Sequence, residues 1–88
     1  MNPNTVLTRS DDVTFQVVAD EAILIRLDTG TYFSLNKVGT QFWQMLDGQQ
    51  TIGQHAAAVA NQYQVDGAMV TADFVELAAK LAAEKLVF

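Results

Sequence analysis

The chain contains few residues that could catalyse a reaction or bind a metal ion or cofactor. There is one histidine, His55, and no cysteine, so a thiolate metal site, a disulfide and a cysteine nucleophile are excluded. Acidic pairs at 11–12 and 20–21 fall in predicted turns, where solvated loop charge accounts for them. The five glycines stand apart from one another, so no phosphate-binding loop is formed. We therefore expect no enzymatic activity, no metal and no cofactor.

His55 is the residue that fits this picture least well. It falls between Ile52 and Val59, on the apolar side of a predicted helix. No second residue stands at a spacing that would make it a ligand or a catalyst. We interpret it as a helix residue at the margin of the core, with a hydrogen-bonded ring.

The composition limits the class of partner. The chain has 88 residues, half of them apolar, which is enough for one domain with a single core. Ten acidic and five basic side chains give a formal charge of −5, which disfavours nucleic acid and membrane surfaces. No apolar run approaches the roughly 20 residues of a membrane span, and residues 1–10 do not resemble a signal peptide. A cytoplasmic protein is expected.

Three strands and two short turns are predicted after a flexible lead-in at residues 1–12. Alternation places Val13, Phe15 and Val17 on one face of the first strand. In the second strand it predicts that Ile23, Ile25 and Leu27 face the core and that Leu24 lies opposite. The turn at 28–30 ends in a glycine, which favours a hairpin. In the third strand Phe33 and Leu35 point inward, while Tyr32 and Ser34 point outward.

Three helices follow, each opened by a residue that can cap it: Asn36, Thr51 and Asp66. The predicted buried faces are Val38, Phe42, Met45 and Leu46 in the first helix; Ile52, Ala56, Val59, Ala60 and Tyr63 in the second; and Val70, Phe74, Leu77 and Leu81 in the third. Trp43 is expected to be partly buried. The fold class is α+β, winged-helix-like, in the order β-β-β-α-α-α, with one domain at residues 13–88.

The third strand is predicted to be the last strand of its sheet. Residues 31–35 contain none of the lysines or prolines that usually protect an exposed strand edge. An open edge of this kind can accept an extended peptide as a further strand. The alternative is that loops, or the same edge of a second copy, cover it.

The stretch from Asp28 to Leu46 resembles the PqqD-like family, whose members are known as RiPP recognition elements. The residues that carry the resemblance are Phe33, Leu35, Asn36, Gly39, Trp43 and Leu46, and the similarity extends over about residues 13–88. Two residues depart from the family pattern. His55 stands at a usually aliphatic position, and Lys85 stands where a glycine often precedes the final leucine.

The resemblance implies a domain that binds the N-terminal leader of a ribosomally made precursor peptide. The leader would add beside the third strand, in a groove closed by the third helix, for presentation to a peptidase or another modifying enzyme. The 28–36 block is more similar to the lasso peptide type. The expected peptide-binding residues are Thr31, Tyr32, Phe33, Ser34, Leu35, Met69, Val70, Asp73, Phe74, Glu76, Leu77 and Lys80.

Two other functions share this fold. A winged-helix DNA binder would need a basic helix, yet the second helix carries no Lys or Arg and the third carries few. A dimerising scaffold would pair two third-strand edges, whereas leader binding predicts a monomer. A solvated helix face would equally explain Asp73, Glu76 and Lys80.

Overall fold

Three antiparallel strands are followed by three helices in the computed structural model, which describes residues 1–88. The elements are β1 (Val13–Val18), β2 (Glu21–Arg26), β3 (Tyr32–Leu35), α1 (Lys37–Met45), α2 (Ile52–Tyr63) and α3 (Gly67–Ala83). The strand order is β1-β2-β3, so β2 is central and the two other strands form the edges. This arrangement confirms the predicted α+β class and element order.

The two hairpins use different turns. Ala19 and Asp20 alone connect β1 to β2, and both have positive φ, at 52° and 67°. A two-residue turn with this backbone matches the twist of the flanking strands. Between β2 and β3, Gly30 has φ 72°, as the predicted hairpin requires.

The prediction for the faces of β2 was wrong. Ala22 and Leu24 are fully buried, whereas Ile23 and Ile25 are about two-fifths exposed and Leu27 is mostly exposed. Residues 22–25 are apolar on both faces, so alternation alone does not identify the buried one. The register decides it, because Leu24 lies opposite Phe15 and Phe33, on the side that the helices cover.

The helix starts follow the predicted caps. The Gly39 N–H donates to Asn36 Oδ1 at 2.8 Å, and the Ala68 N–H donates to Asp66 Oδ1 at 3.0 Å. Thr51 and Gln54 form the predicted capping box through reciprocal bonds of 3.1 and 2.7 Å. These three caps are confirmed, since each depends on residues within one helical turn.

The core lies between the sheet and the helices, and aromatic residues occupy its centre. Phe42 and Phe74 pack with ring centroids 4.5 Å apart. Trp43 is 1% exposed, more deeply buried than predicted, while Val38 and Tyr63 are about two-fifths exposed and fall outside the predicted core. The Tyr63 hydroxyl instead donates to Gln41 at the surface.

Helix α1 completes the contact between β2 and β3 near the end of β3. The Ala22 N–H donates to Thr40 Oγ1 at 2.7 Å, and the Thr40 hydroxyl donates to the Leu35 carbonyl at 3.3 Å. The buried hydroxyl therefore bridges two main-chain groups of neighbouring strands. This bridge holds the end of β3 against the first turn of α1.

The N-terminal segment differs from the predicted flexible lead-in. Leu7 is 3% exposed and belongs to the core. Thr8 and Phe88 exchange two main-chain hydrogen bonds of 2.8 and 3.0 Å, and the Ser10 N–H donates to the Leu86 carbonyl. Because its partners lie at the far end of the sequence, no local pattern indicates this pairing.

Candidate functional site

The outer edge of β3 is open. β3 pairs with β2 alone, and the Arg26 N–H donates to the Thr31 carbonyl at 2.9 Å. Main-chain groups in an antiparallel ladder face the partner strand at every second residue, so Thr31 and Phe33 face β2. The N–H and C=O groups of Tyr32 and Ser34 face outward, and no turn, loop or side-chain hydrogen bond engages them.

A trough runs beside this edge, between β3 and α3. It has two parts, with volumes of about 460 and 390 Å³, which share Ser34, Leu35 and Leu77. One part reaches the first turn of α1, and the other reaches the end of α3. An open strand edge and a partly apolar trough therefore lie side by side.

The trough brings together seven of the twelve residues predicted from the sequence. They are Phe33, Ser34, Leu35, Asp73, Phe74, Leu77 and Lys80. Leu35 and Phe74 are buried and Leu77 is half-buried, so the trough has an apolar floor. Asp73 and Lys80 are exposed, so charged groups stand at its rim.

The five other predicted residues do not line the trough. Thr31 and Tyr32 are exposed, and the Tyr32 side chain lies on the outer face of the sheet. Val70 is buried in the core, and Met69 is exposed before the trough begins. Glu76 is exposed and lies 3.3 Å from Lys80, in an ion pair between surface side chains.

Sequence reasoning missed seven residues that line the trough: Asn36, Val38, Gly39, Leu81, Ala83, Glu84 and Leu86. Glu84 could have been predicted, since one helical stripe contains Asp73, Leu77, Lys80 and Glu84. At Gly39 a side chain would be crowded by the helix cap. A Cβ added there would lie 3.2 Å from Asn36 Oδ1, a tight contact, and 3.4 Å from Leu77 Cδ2.

His55 lies away from the trough and is deeper than predicted. It is 1% exposed, and neither ring nitrogen has a hydrogen-bond partner in the chain, contrary to the predicted hydrogen-bonded ring. Its Nε2 atom lies 3.9 Å from Asp47 Oδ1. Burial lowers the pKa of His55, and the Asp47 carboxylate opposes that shift. The pKa of Asp47 is lowered, mainly by hydrogen bonds from the Gln50 and Gln49 N–H groups.

The structure offers no cluster of three or more His, Asp or Glu side chains for a metal ion. No helix combines the length and apolar character needed to span a bilayer.

Comparison with known proteins places the chain in one family. It matches the family described as Coenzyme PQQ synthesis protein D (PqqD) over residues 21–87. No significant match was found among curated proteins.

Three solved structures are similar along nearly their whole length. TbiB1 in complex with the TbiA(beta) leader peptide is 32% identical, with a TM-score of 0.82 over 91% of this chain and 93% of that one. A lasso peptide synthetase B1 complexed with the leader peptide is 15% identical, with a TM-score of 0.83 over 96% and 99%.

The third structure is the PqqD truncation of Methylobacterium extorquens PqqCD, a stand-alone RiPP recognition element. It is 20% identical, with a TM-score of 0.79 over 100% of this chain and 99% of that one. At these identities the second and third structures establish the fold alone. Because the family match spans every element from β2 to α3, the chain belongs to the PqqD family.

Proposed function

We propose that this chain is a RiPP recognition element. It binds the leader of a ribosomally synthesised precursor peptide and presents that leader to modifying enzymes. The observation that carries the proposal is the open β3 edge beside a trough walled by α3. Support comes from TbiB1, a 32% identical protein whose structure holds a leader peptide.

The leader adds to β3 as a fourth strand. The outward N–H and C=O groups of Tyr32 and Ser34 supply hydrogen bonds that set its register. These bonds are the same for any sequence, so selectivity must come from side chains. Alternate leader residues point into the trough, because side chains along a strand alternate between its faces.

Apolar leader side chains provide the main attraction. Ordering a disordered segment costs on the order of 2–5 kcal/mol, and burial of apolar surface must offset that cost. Leu35, Phe74 and Leu77 offer this surface at the floor of the trough. Asp73 and Lys80 at the rim select leaders by charge, since each can pair with an opposite charge beside the apolar anchor.

The pathway is proposed to be of the lasso peptide type, with a separate peptidase as the enzyme served. A monomer in the cytoplasm that acts by binding and not by catalysis fits this role. The charge of −5 and the absence of any Cys agree with it.

A proline at position 34 tests strand addition. The Ser34 N–H faces outward, so Ser34→Pro removes a donor from the open edge without removing a bond from the β2–β3 ladder. Titration with the leader peptide of the cognate precursor should show at least tenfold weaker binding to Ser34→Pro than to wild type, which corresponds to about 1.4 kcal/mol.

The matched control is Val17→Pro, which removes an outward donor from the opposite edge of the sheet. It should leave leader affinity within twofold of wild type. Both variants should retain the helical circular dichroism signal of the parent. Unchanged leader affinity in Ser34→Pro would exclude strand addition at β3.

A further inference from the structure

The sheet has a second open edge, at β1. The Leu27 N–H donates to the Asp12 carbonyl at 2.8 Å, which sets the even-numbered residues of this strand toward β2. The main-chain groups of Val13, Phe15 and Val17 therefore face outward, and no turn, loop or side-chain hydrogen bond engages them. β1 pairs with β2 without a bulge and contains no Lys or Pro. The features that usually protect an exposed strand edge are therefore missing from β1.

A cavity of about 510 Å³ adjoins this edge and has aromatic walls. The rings of Phe15 and Trp43 meet edge to face, with centroids 5.7 Å apart. The Arg9 guanidinium lies over both rings, at 5.2 and 5.6 Å from their centroids. Phe15 and Val17 are more than one-third exposed, although they lie on the face of the sheet that elsewhere covers the core. A strand added to β1 would cover this apolar surface.

Charge around the edge indicates what kind of strand fits. β1 itself is uncharged, but Asp11 and Asp12 precede it, while Asp20 and Glu21 follow it. Asp47 adds a further carboxylate at the cavity. Three basic groups lie nearby. Arg9 is held over the rings, Arg26 lies opposite Val13 but is paired with Asp28, and Lys37 borders the same cavity as Asp20. Both ends of the edge are therefore acidic, and they favour an apolar segment flanked by Lys or Arg.

The same charges disfavour a second copy of this chain. Two β1 strands paired antiparallel would bring residues 11–12 of one copy close to residues 20–21 of the other. Acidic side chains would then meet at both ends, and like charges opposite one another destabilise strand pairing. The net charge of −5 on each copy adds to the repulsion.

We propose that the β1 edge is the docking site for the modifying enzyme, which adds an extended apolar segment with basic residues at its ends. This inference rests on the proposed function, because a leader bound at β3 must be presented to an enzyme held elsewhere. The two edges are separated by β2, a distance of about 10 Å at the usual strand spacing. Leader and enzyme therefore bind together without competing for main-chain groups.

Two synthetic nonapeptides test the site: Lys-Lys-Val-Thr-Val-Thr-Val-Lys-Lys, and the same sequence with Glu in place of every Lys. Titration of the 15N-labelled full chain should shift the amide signals of Val13, Phe15 and Val17 with the Lys-ended peptide. The Glu-ended peptide should bind at least tenfold more weakly. Equal binding of the two peptides would overturn the charge argument.

Proline variants locate the binding edge. Val17→Pro should weaken binding of the Lys-ended peptide at least tenfold, whereas Ser34→Pro should not change it. Loss in Ser34→Pro alone would place this peptide at β3 and overturn the inference. Leader titration on the same variants keeps the two proposals separate. A leader that fails to bind wild type refutes the proposed function, while the response to Val17→Pro still reports on β1.

Charge reversal provides a test that does not depend on proline. The double substitution Asp11→Lys and Asp12→Lys changes exposed side chains outside the strand. It should reduce the preference for the Lys-ended peptide, and the Glu-ended peptide should bind more tightly than it does to wild type, because one of the two acidic ends becomes basic. Retention of the original preference would overturn the inference, as would a concentration-dependent dimer of the wild type in light scattering.

Discussion

At the scale of single residues, the two departures from the family pattern have physical consequences. His55 puts an ionisable ring in the core with neither nitrogen hydrogen-bonded in the chain. Lys85 has φ 59°, in the left-handed region where most side chains are strained. Neither residue lines the trough, so both affect stability without touching the proposed site.

His55 should make the fold sensitive to mild acid. Because burial lowers its pKa in the folded state, the unfolded chain binds more protons just below the usual value of 6.5. The free energy of unfolding should therefore fall as pH decreases from about 7 to 5. Urea unfolding at several pH values measures this free energy. Over this range it should change less steeply with pH in His55→Leu than in wild type.

Asp47→Asn is the matched control for the histidine. It keeps an oxygen that can accept from the Gln49 and Gln50 N–H groups, but it removes the charge that supports protonated His55. As the pH decreases, the free energy of unfolding of Asp47→Asn should therefore keep falling at pH values where that of wild type has levelled off. Identical pH profiles for wild type and His55→Leu would contradict the prediction.

Lys85→Gly should stabilise the protein by about 1 kcal/mol. Lys85 follows the last turn of α3, where the Leu86 N–H donates to the Leu81 carbonyl at 2.9 Å and the Lys85 N–H donates to the Ala82 carbonyl at 3.0 Å. This helix ending favours glycine. The melting temperature should rise by about 4–8 °C for a domain of this size. Ala79→Gly, in the exposed middle of the same helix, should lower stability by a similar amount.

At the scale of elements, sequence reasoning succeeded where the signal was local. Caps such as Asn36 and Thr51 act within one turn, so their residue types identify the helix starts. The buried face of β2 could not be read in this way, because both faces of residues 22–25 are apolar and the neighbouring strands decide between them. Sequence spacing shows which residues of α3 share a face, but not which element that face contacts. The stripe of α3 that borders the trough was therefore only partly predicted.

Charges on α3 should affect leader binding without affecting the fold. Asp73 and Lys80 border the trough, so Asp73→Ala or Lys80→Ala should weaken leader binding. An exposed charge pair contributes about 0.2–1 kcal/mol, which predicts up to a fivefold change in Kd. Lys37→Ala is the control, because Lys37 is also an exposed charge at a helix surface and does not border the trough. The melting temperatures of the variants should equal that of wild type. If all three variants bind the leader with wild-type affinity, the leader lies elsewhere.

At the scale of the whole molecule, the N-terminal segment belongs to the folded unit. Residues 5–10 form main-chain bonds with residues near 52 and with the C-terminal segment, and they close one side of the core. Little in the sequence indicates this docking, because Val6 and Leu7 are the only large apolar residues between 2 and 12. Pairing between the two ends of a chain has no periodic signature.

Leu7→Ala should therefore destabilise the protein by about 2–5 kcal/mol, as expected for truncation of a buried leucine. Val6→Ala is the natural control, since Val6 is 41% exposed and its loss should change stability by less than about 0.5 kcal/mol. Chemical denaturation of the two variants measures the difference. A negligible effect of Leu7→Ala would mean that this segment is not docked in solution.

Because the sheet has an open edge on each side, molecules can also join edge to edge into an assembly that does not close on itself. If β1 of one molecule adds to β3 of the next, every new molecule leaves one edge free at each end, and a ribbon lengthens without limit. Mutual repulsion between chains of net charge −5 opposes this association near neutral pH, and it vanishes near the isoelectric point of about 4.4. Turbidity should therefore rise as the solution approaches that pH. Val17→Pro and Ser34→Pro should each suppress the rise, because every link uses both edges.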